Sequence, residues 1–143
     1  MLKDLLYKVA IRSVNGDTNI IVSGLQTDSR KSSAGSCFIA IKGTASNGHD
    51  FIDKAIDAGA IAVICETMPA TTKEGITYIA VENSAAAAGI MAHRFYGEPS
   101  SKMKVCGVTG TNGKTTIATL LWKLFSALGH KCGLISTVQN QIG

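Results

Sequence analysis

Residues 109 to 116 read Thr-Gly-Thr-Asn-Gly-Lys-Thr-Thr, and this spacing suits one piece of chemistry, the cradling of a nucleoside triphosphate. Gly110 and Gly113 open backbone conformations closed to other residues and let phosphate oxygens approach the main chain. Lys114 places a point charge within reach of the β- and γ-phosphates. Thr115 follows with the hydroxyl that would ligate Mg²⁺, so it is the candidate metal ligand. Thr111, Asn112 and Thr116 complete the candidate nucleotide contacts. The match to the general Gly-x-x-x-x-Gly-Lys-[Ser/Thr] pattern is imperfect, because Val108 stands where glycine is expected and Gly107 lies one place early. On the Gly-Lys-Thr triplet alone, a plain turn with a helix cap explains the residues equally well. Two glycines, an asparagine and flanking threonines between an apolar run and a helical pattern favour the phosphate loop.

Such a loop needs a strand to deliver it and a helix to follow, with the helix's unpaired N–H groups aimed at the ligand. The run Val105-Cys106-Gly107-Val108 predicts the strand. The helix runs from the loop to about Leu128, closed by Gly129, with Leu120, Leu121, Trp122, Leu124 and Phe125 as its buried face. A strand over 131–138 completes a single βαβ unit, with Ser136 and Thr137 at the strand end where such sheets place ligand crevices. Upstream, the pattern predicts a short helix over 2–9, strands over 20–23, 36–41, 60–65 and 77–81, and a one-faced helix over 49–58 ended by Gly59. An alanine-rich helix capped by Asn83 or Ser84 runs to about Tyr96. The expected fold class is α/β: a small domain over 1–98, a linker at 97–101, and over 99–143 the opening of a nucleotide-binding domain. A lone βαβ unit leaves most of its sheet uncovered, so a fragment of a longer protein is expected.

The 143 residues are 45% apolar and 17% charged, which is a globular composition. The net charge of +4 is scattered, without basic blocks or aromatic interleaving, so no nucleic-acid partner is expected. No signal peptide or membrane-length apolar run is present in the sequence, and a cytoplasmic protein without membrane insertion is expected. Cys37, Cys65, Cys106 and Cys132 each sit in apolar stretches without a Cys-x-x-Cys pair and are read as buried reduced thiols. His49, His93 and His130 carry no metal-ligand spacing.

The loop resembles that of the Mur ligases, the ATP-dependent enzymes that add amino acids to the bacterial cell-wall precursor, at every position from Thr109 to Thr116, including the missing first glycine. Upstream, Thr27-Asp28-Ser29-Arg30, Gly35-Ser36-Cys37-Phe38-Ile39-Ala40, Gly43, Gly48-His49-Asp50-Phe51-Ile52, Ala55 and Gly59-Ala60 are similar to the uridine-diphosphate-binding domain of the MurE and MurF branches. The ending Ser136-Thr137-Val138-Gln139-Asn140 resembles the MurE branch, which adds the third amino acid. The resemblance implies that Thr27 and Ser29 contact the uridine diphosphate end of the substrate, with Thr44, Ala45 and Ser46 as further contacts. Asn47 stands where many members have aspartate. Small hydroxyl residues and backbone N–H groups suit a uracil and a diphosphate, as they carry no like charge. Taken alone, Asp28-Ser29-Arg30 also fits a surface turn capped by Asp28 and paired with Arg30.

The family reaction, as the resemblance implies it, uses ATP and Mg²⁺ to convert a substrate carboxylate into an acyl phosphate that an amine attacks. Lys114 and the metal supply the charge neutralisation. The implied partners are a UDP-N-acetylmuramoyl-dipeptide and an amino acid, meso-diaminopimelate or L-lysine, with a monomer expected. The resemblance places the acidic metal ligand, a modified lysine and the amino-acid domain downstream of this sequence, so this polypeptide alone is expected to be inactive. Three alternatives stand beside this reading: a MurF-type or cyanophycin-synthetase-like ligase, a non-catalytic module that binds a UDP-sugar-peptide, and an unrelated P-loop kinase or GTPase.

Overall fold

The computed structural model describes residues 1–43 and 46–142. The chain forms two compact units, Met1–Met103 and Lys104–Gly143. The first unit is a five-stranded sheet in the order β1-β5-β4-β3-β2. Its strands are β1 (Ile11–Asn15), β2 (Leu25–Gln26), β3 (Ser36–Ile39), β4 (Ala60–Cys65) and β5 (Thr77–Val81). Strands β2 to β5 run parallel, and β1 closes the edge antiparallel to β5.

Period-two alternation explains why the sheet is covered on both sides. Cys37, Ile39, Ala62, Ile64, Ile79 and Val81 face one way, into a core shared with Leu2 and Leu5 of α1 (Leu2–Leu5) and Ala87 and Met91 of α3 (Ser84–Phe95). Phe38, Ala40, Val63, Cys65 and Tyr78 face the other way, against Ile52 and Ala55 of α2 (Ile52–Asp57). Each fully buried Ile, Leu or Phe in these layers contributes about 1.5–3 kcal/mol of transfer free energy.

The α/β class expected from the sequence is the class observed, and several boundaries shift for identifiable reasons. The first helix is one turn, because the chain leaves it at Leu6 and Lys8 takes a positive φ of 67°. Residues 20–23 form no strand; Val22 is buried all the same, and the paired segment is β2. The helix expected over 49–58 begins as a 3-10 turn, Gly48–Phe51, before α2. Residues 97–101 fold back on α3 instead of forming an open linker: Glu98 N–H donates to His93 O at 2.7 Å, and the Ser100 hydroxyl lies 3.0 Å from His93 Nδ1.

The second unit contains α4 (Lys114–Ala127) and a two-stranded antiparallel hairpin of β6 (Gly133–Ile135) and β7 (Asn140–Ile142). The strand expected at 105–108 does not form, since residues 104–109 have no ladder partner among the described residues and a strand exists only through pairing. The strand expected over 131–138 is shortened to β6, because the Ser136 hydroxyl donates to Gln139 O at 2.8 Å and turns the chain back into β7. No residue of α4 is fully buried: of the expected face Leu121 and Trp122 are half-buried, while Leu120, Leu124 and Phe125 are exposed. Two of the cysteines also depart from expectation: Cys37 and Cys65 are buried, whereas Cys106 is exposed and Cys132 half-buried. Burial pushes the Cys37 thiol up to about 12 and that of Cys65 to about 11.

Candidate functional site

In the second unit, the bend before α4 is built from two glycines in conformations that side chains resist, Gly110 at φ 147° and Gly113 at φ 76°. Residues Gly110 to Lys114 are exposed and Thr115 is half-buried. Among the described residues no side chain caps α4, and its first backbone bond runs from Ile117 N–H to Gly113 O at 2.9 Å. The amides of Lys114, Thr115 and Thr116 therefore have no protein partner among the described residues, and they carry the partial positive charge of the helix end. Lys114 bends back over the loop, its ammonium donating to Thr111 O at 3.2 Å and to Gly110 O. The Thr115 hydroxyl has no hydrogen-bond partner among the described residues. Unpaired amides, a cation held only by loop carbonyls and a free hydroxyl form a donor set that fits phosphate oxygens and their Mg²⁺. Among the described residues no group of three His, Cys, Asp or Glu is placed to hold a metal ion by itself.

The start of α3 in the first unit has the opposite treatment. Asn83 Oδ1 accepts from Ala86 N–H at 2.8 Å, and Glu66 Oε1 accepts from both Ser84 N–H and the Ser84 hydroxyl at 2.9 and 3.0 Å. Those bonds from Ser84 hold the Glu66 carboxyl below its ordinary value. One helix start is filled by the protein's own side chains, and the other has no side-chain cap among the described residues.

The substrate candidates of the first unit follow the C-terminal ends of parallel strands, the edge where open α/β sheets place their crevices. Thr27 and Ser29 come directly after β2; Ser46 comes after β3, which pairs with β2 in the register Leu25↔Cys37 and Gln26↔Phe38. Thr27 and Ser46 are exposed and Ser29 is half-buried. Thr44 and Ala45 lie outside the described residues. Asp28 and Arg30 adopt the capped surface turn: Asp28 Oδ1 accepts from Arg30 N–H at 3.1 Å, and Arg30 Nη2 donates to Asp28 Oδ2 at 2.7 Å. These hydrogen bonds pull the Asp28 carboxyl down to about 2. The Ser29 hydroxyl has no partner among the described residues and remains available.

On the same edge lies a cleft of about 430 Å³ lined by Lys42, Asn47, His49, Asp53, Glu66 and Tyr78, among others. Sequence spacing read His49 as isolated. The fold brings it to the backbone of Glu66 and Thr67, which only the crossover through α2 and β4 could reveal.

Comparison with known proteins places these features in a family. The sequence profile described as "Mur ligase family, catalytic domain" matches residues 21–96. A protein of Cytophaga hutchinsonii named UDP-N-acetylmuramoyl-L-alanyl-D-glutamate–2,6-diaminopimelate ligase is 52% identical over 142 residues, covering 99% of this chain and 29% of that protein. A solved structure of a ligase bearing the same name is 29% identical with a TM-score of 0.64, covering 85% of this chain and 25% of that one. The MurF ligase of Thermotoga maritima in complex with ADP is 31% identical with a TM-score of 0.53, covering 72% of this chain and 23% of that one. The chain thus spans under a third of the length of the curated relatives it matches. With more than half of its residues matched by the family's profile, the chain belongs to the Mur ligase family.

Proposed function

We propose that this chain supplies the precursor-binding unit, 1–98, and the opening of the ATP-binding domain, 99–143, of a ligase joining an amino acid to UDP-N-acetylmuramoyl-L-alanyl-D-glutamate. The relatives' names point to 2,6-diaminopimelate as that amino acid. The observation that carries the reading is the uncapped, exposed start of α4 beneath the Gly110–Gly113 bend. Its free amides and Lys114 would hold the β- and γ-phosphates, Gly110, Thr111, Asn112, Gly113 and Thr116 would wall the phosphates, and Thr115 would offer its hydroxyl to Mg²⁺.

ATP supplies a phosphoryl group that activates the precursor's carboxylate as an acyl phosphate. The task of this chain's residues in that step is electrostatic, since Lys114 and the helix end oppose the negative charge of the transferring group. Thr27, Ser29 and the loop of Thr44, Ala45 and Ser46 would hold the uridine diphosphate end. The reading includes a cytoplasmic monomer; no helix among the described residues is long and apolar enough to cross a membrane. Calorimetric titration of the chain with Mg-ATP and, separately, with the UDP-dipeptide precursor tests it. Both ligands are expected to bind, Lys114→Ala weakening only the first and Ser29→Ala weakening only the second. Precursor binding with no response to Mg-ATP would leave a sugar-nucleotide module instead.

A further inference from the structure

His49 uses both ring nitrogens within the protein. Nδ1 lies 2.8 Å from Asn47 Oδ1, while Nε2 lies 2.9 Å from the backbone N of Glu66 and 3.4 Å from that of Thr67. A backbone amide can only donate, so Nε2 must be the bare, accepting nitrogen. Asn47 Oδ1 also accepts the backbone N–H of His49 at 3.2 Å, which identifies it as the carbonyl oxygen of the amide. The ring proton therefore sits on Nδ1 and the imidazole is neutral. The partners at both ends are themselves fixed. The peptide of Glu66 is anchored by its carboxylate on Ser84, at the start of α3. Asn47 bridges Lys42 across the loop, Gly43 N–H donates to Ser46 O at 3.0 Å, and Gly48 N–H donates to Ile41 O at 2.9 Å. Gly48 passes so close that a Cβ there would sit 2.6 Å from Ile41 N and O. His49 is thus the strut between the rigid β4 end and the segment that carries Ser46.

We propose that His49, as the neutral Nδ1–H tautomer, is the positioning residue that holds Ser46 and the Asn47 backbone in place for the uridine diphosphate end of the precursor. The proposal rests on the reading of this sheet edge as the precursor site. His49 touches no substrate itself; its work is to spare the ligand the ordering of that segment on binding.

The test joins nitrogen-15 NMR of the His49 ring with calorimetric titration of the full chain by uridine diphosphate and by the UDP-dipeptide. The ring spectrum is expected to show the proton on Nδ1 and a bare Nε2; a protonated Nε2 overturns the proposal. His49→Ala is expected to bind both ligands about tenfold or more weakly, the consequence of stranding the Glu66 amide and freeing Asn47. His49→Gln, which keeps one donor and one acceptor, is expected to recover most of that affinity. If His49→Ala does not fold, the tautomer and the Gln variant decide the matter. Wild-type chain that binds, with an Ala variant that binds equally well, overturns the strut alone. Wild-type chain that binds neither ligand overturns the precursor-site reading and the strut with it.

Discussion

Asp28 and Ser29 are neighbours with different fates. The carboxylate of Asp28 is consumed by Arg30, first through the side-chain bonds and then through the Arg30 N–H, and its carboxyl falls from 3.8 to about 2. A carboxyl lowered on folding stabilises the native state above its unfolded value, and that contribution disappears as pH falls from 3.8 toward about 2. Carbon-13 titration of the Asp28 carboxyl is expected to show the depressed midpoint, and Arg30→Ala to return it toward the ordinary value. Lys114 is the corresponding case for the ligand. Its ammonium is held by loop carbonyls, which phosphate oxygens would replace with charge-assisted bonds of about 1.5–3 kcal/mol. Lys114→Ala should weaken Mg-ATP binding about ten- to a hundredfold while leaving thermal unfolding unchanged, because the exposed side chain supports no core. Ser32 is the opposite kind of residue: its hydroxyl is buried without a partner among the described residues. Ser32→Ala removes that orphaned group and should leave the unfolding midpoint equal or higher, whereas a drop would reveal a partner the hydroxyl needs.

At the level of elements, caps and strand alternation were readable, while pairing was not. Asn83 announces the start of α3 because its side chain serves Ala86 N–H, a short-range event written in adjacent residues. Asn83→Ala is expected to cost about 1 kcal/mol in chemical denaturation, with Glu66 still holding Ser84. The strands β3, β4 and β5 were legible as continuous apolar runs, since helices cover both faces of the sheet. Strand β1 was not, because all five of its residues are exposed and only a register with β5 defines it. The apolar run at 105–108 misled in the reverse direction: it has strand composition without a neighbouring strand to bond. The candidate site divides along the same line. The glycine bend and the helix start after it were legible because Gly110, Gly113 and Lys114 lie within a few adjacent residues. The strut from His49 to Glu66 was hidden by a sequence separation of seventeen positions, and only the parallel crossover brings its ends together. Gly59 marks that crossover, with φ at 106° and a Cβ position 2.8 Å from the Ala34 backbone. Gly59→Ala therefore meets both a disfavoured conformation and a steric clash. It should lower stability by more than the roughly 1 kcal/mol of an ordinary φ-positive glycine replacement, measured by urea denaturation.

Across the molecule, burial is unevenly divided, and local stability should follow it. Nearly every buried apolar residue belongs to the first unit, in two layers on either side of β3, β4 and β5. The second unit has Leu134 as its one buried hydrophobic residue among those described, while Leu120, Leu124, Leu128, Ile135 and Val138 remain exposed. A helix of fourteen residues is marginal in water without tertiary packing of its apolar face, because nucleation is unfavourable and propagation adds little per residue. Amide exchange depends on the free energy of local opening, which rises with buried contacts around the hydrogen bond. The amides of β3 to β5 should therefore exchange slowest and together, near the global unfolding limit, whereas those of α4 should exchange orders of magnitude faster in the free chain. Saturating Mg-ATP gives this prediction its functional edge. A ligand gripping the amides of Lys114, Thr115 and Thr116 stabilises the state in which that helix end is formed, by about 2.7 kcal/mol at a hundredfold excess over its dissociation constant. Protection in the first turns of α4 should then rise by about a hundredfold, with β3 to β5 unchanged. Equal protection of α4 and the sheet in the free chain would show that the open face is covered in solution. A nucleotide that leaves α4 exchange untouched would remove the loop from the proposed site.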